Sequence, residues 1–539
     1  MEHFGAWGLI PPLLTIALAF LTKDVIVSLF LGIVSGVLIV AGGNPAVALI
    51  KTTDLLASAL NDGWNIRIFL FCALLGGLVG MLSRTGASSA LGVWAGGHLK
   101  TRKSSQITAW FFGLLIFIDD YFNSLAVGTI MRPVTDKHRV SRAKLAYILD
   151  STAAPVCIIA PVSSWVVTVM SVVKGSDKFG ELGVTEFEFF IRSIPYNLYA
   201  LLTLVMVVVV ALTNRNFGPM AASERLAESG GPLWSADKYG AAPGEVEHVE
   251  NPRARALDMV FPIITLIVTA LVFFPLTTWL GAVDGESVKT LGEAFASIPL
   301  ARAFNDTDAS VALFYSAVFT LVITYVYYLA RRLLTVKSAS EALKDGIGSM
   351  VPALIVLTMA WTIGGVIKSS PADGGLGLAK YLSEVVVDGG FPVWALPVVV
   401  FVLSAVISFS TGTSWGTFTI MIPIVMPIVV ALAQARGLAG GALVNASMIS
   451  VAAVLSGAVF GDHASPISDT TILSSTGAGC PHLEHVSTQL PYALFVAAAS
   501  LVGFAAGGLF LSDLAGWIAA LVVFVGGMFV LPMVYAKKK

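Results

Sequence analysis

Eleven stretches of this chain are each long enough and apolar enough to cross a lipid bilayer, and no other feature narrows the possible folds so far. A spanning helix needs about 20 apolar residues, because each adds only about 1.5 Å towards a hydrocarbon core of roughly 30 Å. Such runs lie near residues 7–22, 25–42, 66–83, 145–173, 189–213, 257–280, 309–330, 349–368, 445–474, 488–512 and 515–535. In lipid every backbone N–H and C=O has to be satisfied internally, so the pattern predicts an all-α polytopic membrane protein. Composition agrees. Of the 539 residues 56% are hydrophobic and 12% charged, where globular domains carry about 25% charged residues. The 32 basic and 33 acidic side chains nearly cancel, which leaves no dominant basic surface for nucleic acid. Three scattered cysteines, Cys72, Cys157 and Cys480, suit packing rather than a disulfide framework or a zinc site. The first run has no Lys or Arg before it and no small-residue cleavage site, so it reads as a span rather than a cleaved signal peptide.

Lys and Arg concentrate in cytoplasmic loops. Here they gather at 100–103, 132–144, 331–337 and 537–539, whereas the loops 175–188 and 281–308 are richer in acid. This predicts an N-terminus outside, a C-terminus in the cytoplasm and a mobile cytoplasmic linker over the polar stretch 214–256. Residues 104–134 are largely apolar yet begin and end at basic loops, and about 30 residues cannot cross twice. They are expected to form a re-entrant hairpin, a shape tolerated at membrane depth only where protein or a water-filled cavity surrounds its tip.

Four short strings recur in the same order. ALNDG (59–63) answers ALKDG (342–346), Gly76 and Gly77 answer Gly364 and Gly365, TIMRP (129–133) answers TIMIP (419–423), and PVSS (161–164) answers PISD (466–469). By the charge rule the first pair lies on opposite sides of the membrane, so the copies run in opposite directions. Inverted-topology repeats mark secondary transporters, with the site near the midplane where the copies meet. The organisation expected is N-terminal spans (1–50), a first copy (51–213) with hairpin 104–134 and broken helix 145–173, the linker 214–256, connecting spans (257–330), and a second copy (331–539) with hairpin 391–434 and broken helix 445–474.

A carboxylate at the bilayer centre costs about 2.5–3.5 kcal/mol on insertion scales, so each one asks for a reason. In the first copy the candidates are Asp119 and Asp120 at the hairpin tip, with Asn123 and Ser124 beside them, then Asp150, Ser151 and Thr152. In the second they are Thr413 and Ser414 at the tip FSTGTSW, then Asp462, His463, Ser465, Ser468 and Asp469. Pro155, Pro161 and Pro466 each leave an upstream carbonyl free. Carbonyls, hydroxyls and carboxylates together make an oxygen cage suited to a hard cation such as Na⁺. A carboxylate that holds a cation at one moment and a proton at another is the simplest antiport device. Structural readings stand beside these: Asp119 and Asp120 as an interfacial helix break, Asp150 as a half-helix cap, His463 as a satisfied hydrogen-bonding residue, and Gly76 with Gly80 as a GxxxG packing surface. HExxH is absent and the paired-aspartate pattern of intramembrane proteases is not met, so no enzyme and no cofactor is expected.

The string GDHASPISDTTILSS (461–475) closely resembles the GDHxSPISDTT motif of the NhaC family of Na⁺/H⁺ antiporters, and FIDDYFNSLAVGTIMRP with DSTAAPVCIIAPVSSW is similar to the longer members of that family. The resemblance implies the ion transporter superfamily, paired re-entrant hairpins, a bacterial or archaeal cytoplasmic membrane, and coupling of Na⁺ to H⁺. It also implies Asp462, His463, Ser465, Ser468 and Asp469 as site residues. The reading is therefore a Na⁺/H⁺ antiporter, about eleven spans and two hairpins, a possible homodimer, with Na⁺ held at Asp462 and Asp469. Its rival is a Na⁺- or H⁺-coupled carrier of a small organic anion or amino acid, of the malate/lactate kind.

Overall fold

A computed structural model describes residues 3–22, 24–240, 251–283, 288–378, 380–381, 384–385 and 390–537. Among these residues there is no strand. The chain opens with α1 (Ile10–Thr22), α2 (Val25–Val40), α3 (Pro45–Asn61), α4 (Gly63–Arg84) and α5 (Ala87–His98). The first hairpin is α6 (Arg102–Leu115) and α7 (Asp120–Lys137), and the first broken helix is α8 (Arg142–Thr152), the short α9 (Ala154–Cys157) and α10 (Ser164–Gly175). Then come α11 (Glu186–Ser193), α12 (Leu198–Thr213), α13 (Gly218–Glu228), α14 (Ala236–Tyr239), α15 (Ala256–Ala282), α16 (Leu291–Ser297), α17 (Leu300–Asn305) and α18 (Ala309–Ala330). The second copy follows with α19 (Val336–Ser349), α20 (Val351–Lys368), α21 (Leu396–Thr411), α22 (Ser414–Ala435), α23 (Gly440–Ala464), α24 (Asp469–Ala478), α25 (His482–Phe510) and α26 (Asp513–Lys537).

Local chemistry sets these boundaries. Asp62, Thr101, Ser141, Ser163, Thr335 and Ser468 each turn a side-chain oxygen to the free N–H groups of the helix that follows, which fixes where it starts. Small residues then let helices of the two copies touch. A Cβ on Gly80 would stand 2.1 Å from the Ala342 carbonyl, and one on Gly76 would stand 2.5 Å from that of Gly346, so the GxxxG of α4 is a packing surface against α19. Gly76 meets Gly346 and Met350 while Gly80 meets Ala342, which makes the two helices antiparallel. In the same way Gly457 and Gly461 of α23 lie against the Phe401 and Ala405 carbonyls of α21.

The copies exchange partners. α4 packs on α19 and α20 on α3, while α7 packs on α24 and α22 on α10, the reciprocal arrangement of two units related by a two-fold axis. Each recurring string sits at a matching place: ALNDG joins α3 to α4, ALKDG lies in α19 ahead of α20, and PVSS and PISD carry the caps Ser163 and Ser468.

Among the described residues ten helices are long and apolar enough to cross a membrane. The runs at 7–22 and 25–42 fold as shorter apolar helices of 13 and 16 residues, and the break expected within 145–173 falls at Ala153 and again before Ser164. The stretch 391–434 holds two helices that each have spanning length, whereas α6, with 14 residues, does not. The linker 214–256 is partly built: α13 and α14 lie within it and are tied down by buried acids, while 241–250 lies outside the described residues. Glu224 of α13 accepts from the Ser141 N–H at 3.0 Å and pairs with Arg102 at 2.8 Å, and the buried Glu484 accepts from Ser223 and the Ser235 N–H.

Candidate ion-binding site

In the second copy α23 ends at Ala464, the chain runs extended through Ser465, and α24 restarts at Asp469 under the Ser468 cap. The break brings oxygen donors onto one carboxylate. Asp462, in the last turn of α23 and 4% exposed, accepts from the Ser414 hydroxyl at 2.7 Å and the Ser414 N–H at 3.3 Å on one oxygen. Its other oxygen accepts from Ser468, and from Thr470 at 3.4 Å. Among the described residues no Lys or Arg pairs with it. Two further hydroxyls fasten the frame: Ser408 donates to the Ala458 carbonyl at 2.6 Å and Ser465 to that of Phe409 at 2.7 Å. Thr413, partly exposed, lends its carbonyl to Thr417.

In the first copy Asp119 caps α7 through the Phe122 N–H at 2.9 Å and lines a cavity of about 270 Å³ with Tyr121, Ser83 and Ser349. Asp120 accepts from the Trp165 indole at 3.1 Å. Trp165 stands edge-on to Trp415 with centroids 5.8 Å apart, and Tyr121 donates to Asp469 at 3.2 Å. The starts of α7, α10, α22 and α24 therefore meet in one place. Four helix N-termini turn their positive dipole ends there, which favours the carboxylates they surround. Asn123 is a clamp: its amide donates to the carbonyls of Gly113, Ile116 and Thr152 at 2.7–2.9 Å, joining α6, α7 and α8. Ser124 accepts from Ser474, and Thr152 bonds its own helix at Ile148.

A second polar cluster joins the copies. Asp150 accepts from His485 at 3.1 Å and from Gln489 at 2.7 Å, and Gln489 also donates to the His463 carbonyl. The His463 ring lies between Ser151, at 3.2 Å, and the Tyr199 hydroxyl, at 2.7 Å. Residue 463 follows Asp462 in the chain, so the two clusters share a wall.

The structure thus brings Asp462, Ser414, Ser468 and Asp120 to one centre and Asp150, Ser151 and His463 to its flank. It does not place Asp469 inside: that side chain is exposed on the first turn of α24, because the helix restarts with Ser468 turned inward. Sequence reasoning missed Thr470, Trp165, Tyr199, His485 and Gln489. His485 and Gln489 are one helical turn apart on α25 and both buried, so their i,i+4 spacing was the available signal. It was hidden because His485 precedes the apolar run, whereas His463 sits within one.

Two interlocked copies of hairpin and broken helix, closing on buried carboxylates inside a bundle of apolar helices, define a secondary transporter of the multi-pass membrane class. The chain belongs to the Na⁺/H⁺ antiporter family, whose family model matches residues 156–509. It is 36% identical over 525 residues to an uncharacterized protein of Haemophilus influenzae, covering 96% of this chain and 94% of that one. It is 26% identical over 234 residues to the malate-2H⁺/Na⁺-lactate antiporter of Bacillus subtilis, covering 41% and 44%. The fold is similar to that of the YdaH transporter of Alcanivorax borkumensis, with a TM-score of 0.50 and 13% identity over 90% of each chain.

Proposed function

We propose that this transporter exchanges cytoplasmic Na⁺ for external H⁺, with Asp462 as the group that carries either ion. The observation that carries the reading is the Asp462 cage: a buried carboxylate held by Ser414, Ser468 and Thr470, with no basic side chain bonded to it among the described residues. A bare carboxylate in that place is costly, so it is occupied either by a proton or by a cation. Hydroxyls serve both states, since each donates to the carboxylate and keeps lone pairs for Na⁺. With the carboxylate they make an oxygen set of the hard-cation kind. Because one carboxylate accepts either ion, one must leave before the other binds, and that competition couples the two gradients. Asp120, across the meeting point, adds a negative field that draws cations inward. Family membership supports the choice of ions.

The test is reconstitution of the purified protein with a trapped pH dye. A Na⁺ pulse is expected to change the internal pH, K⁺ to do so far less, and the response to vanish in Asp462→Asn while that variant still inserts. No response to any cation in tight vesicles would overturn the reading and move the search to labelled carboxylates, since the Bacillus subtilis relative carries malate and lactate by name.

A further inference from the structure

The glycine pair that recurs in the two copies is closed in one and open in the other. In the first copy Gly76 and Gly77 are buried. A Cβ on Gly76 would stand 2.5 Å from the Gly346 carbonyl, one on Gly346 would run into the Gly76 carbonyl, and one on Gly77 into the Leu343 side chain. The recurring strings set Gly364 and Gly365 against Gly76 and Gly77, and Gly63, the last residue of ALNDG, against Gly346, the last of ALKDG. A strict two-fold would therefore seat Gly364 of α20 on Gly63 at the start of α4. That contact is missing. A Cβ on Gly364 or Gly365 would meet nothing within 4 Å, and one on Gly63 would meet the Arg67 guanidinium at 3.6 Å; Gly63 and Gly365 are exposed where Gly346 and Gly77 are buried.

A cavity of about 400 Å³ stands in place of the contact. Asp62 and Trp64, on either side of Gly63, line it together with Gly364 and Gly365, and its wall is completed by residues that include Lys174 of α10 and Pro423 of α22. Charged side chains in that wall suit water rather than lipid. The first turns of α10 and α22 meet at the ion site, so the cavity lies along the helices that carry Trp165 and Ser414. A glycine on an open helix face lowers helix stability with no packing in return, and nothing in the present packing uses Gly364 or Gly365.

We propose that this cavity is one mouth of the transport path, open here, and that it closes when Gly364 and Gly365 seat on the Gly63 turn while Gly76 and Gly77 come away from Gly346. In an inverted repeat the two halves can exchange conformations, and the exchange turns the open mouth on one side of the membrane into the closed one. Both contacts need glycine, because only without a Cβ can two helices approach to backbone distance. The first copy shows the closed form of the contact, and the second holds the same residues in place for it.

Two experiments on the full-length protein test this. A leucine at Gly365 has room in the open form and none in the closed one. Gly365→Leu is therefore expected to fold, to keep the rise in melting temperature that Na⁺ gives the wild type, and to lose exchange in proteoliposomes by about 10-fold or more. The reference is Gly526→Leu on α26, an exposed glycine whose Cβ would likewise meet nothing within 4 Å. Exchange by Gly365→Leu within about tenfold of that reference would overturn the proposal. In the second experiment Gly63→Cys combined with Gly364→Cys is oxidised mildly in membranes. A disulfide is expected, because closure brings the two positions together, and exchange is expected to stop until a reductant breaks it. No disulfide, or one that leaves exchange untouched, would overturn the proposal. If Gly365→Leu does not fold, the cysteine pair decides. The transport readouts rest on the exchange reading of Asp462: wild type that answers no cation would overturn that reading, and formation or absence of the disulfide would still decide whether the mouth closes.

Discussion

The two copies of the repeat put different chemistry on the same construction. Ser163 and Ser468 occupy matching places, each capping the half-helix that follows the break. Two residues on, Trp165 in the first copy and Thr470 in the second each donate to a carboxylate of their own half, Asp120 and Asp462. The first residue after the hairpin tip is an acid in one copy, Asp120, and a hydroxyl in the other, Ser414. An indole N–H can only donate, and its ring fills the space a cation would need. A hydroxyl donates and still offers lone pairs. The comparison teaches that the first copy presents an acid and an indole where the second presents hydroxyls, so the Na⁺ site proposed above draws its ligands from one half of a symmetric frame.

That asymmetry can be broken at several points. The largest effect is expected from Asp462→Asn, which removes the carboxylate that three hydroxyls surround: Na⁺-driven pH change should fall by about 100-fold or more, where Asp120→Asn retains exchange with weaker Na⁺ binding. Equal losses in both variants would show that the copies share the ion. Next come Ser414→Ala and Ser468→Ala. Each deletes a hydrogen bond to a charged acceptor, worth about 1.5–3 kcal/mol, and a Na⁺ ligand, so half-saturation for Na⁺ should rise by roughly 10- to 100-fold with little change in maximal rate. Smaller still is Trp165→Phe, which keeps the ring against Trp415 but drops one neutral donor. A fall in rate of about 10-fold is expected, the lower end of the roughly 1.5–3 kcal/mol that a bond to a charged acceptor is worth, with Na⁺ affinity unchanged. A shift in affinity as large as that of Ser468→Ala would place Trp165 among the ligands.

Much of this frame could be read from the residues. Apolar run length marked most of the membrane helices, Gly76 and Gly80 announced close packing, and Pro161 and Pro466 marked the segments that break. What escaped has a common physical cause. Asn123 reads as a ligand in the sequence because a polar side chain at membrane depth asks for a partner, and only the fold shows its amide nitrogen held by three carbonyls at the ends of α6 and α8. Trp165 and Tyr199 are apolar by composition, and only packing reveals that their single polar atoms aim at Asp120 and His463. The buried acid of the 214–240 segment was unreadable for the same reason: Glu224 belongs to a polar stretch by sequence and is closed off by Arg102 and the Ser141 N–H.

Asp469 gives the smallest expected effect and the sharpest contrast with the motif in which it stands. Spaced seven residues from Asp462, it reads as a second ligand on the same span. The break at 465–468 destroys that helical register, however, and the restart of α24 leaves Asp469 exposed with only the Tyr121 hydroxyl at 3.2 Å. An exposed acid on the first turn of a helix is worth about 0.3–1 kcal/mol through the dipole and little more through one surface hydrogen bond. Asp469→Asn keeps the shape and should leave the half-saturation for Na⁺ within about twofold of wild type, with Tyr121→Phe equally mild. A loss of Na⁺ binding comparable to that of Ser414→Ala would mean that α24 turns Asp469 inward in another state of the cycle, and the ion would then be held by both ends of the break rather than by Asp462 alone.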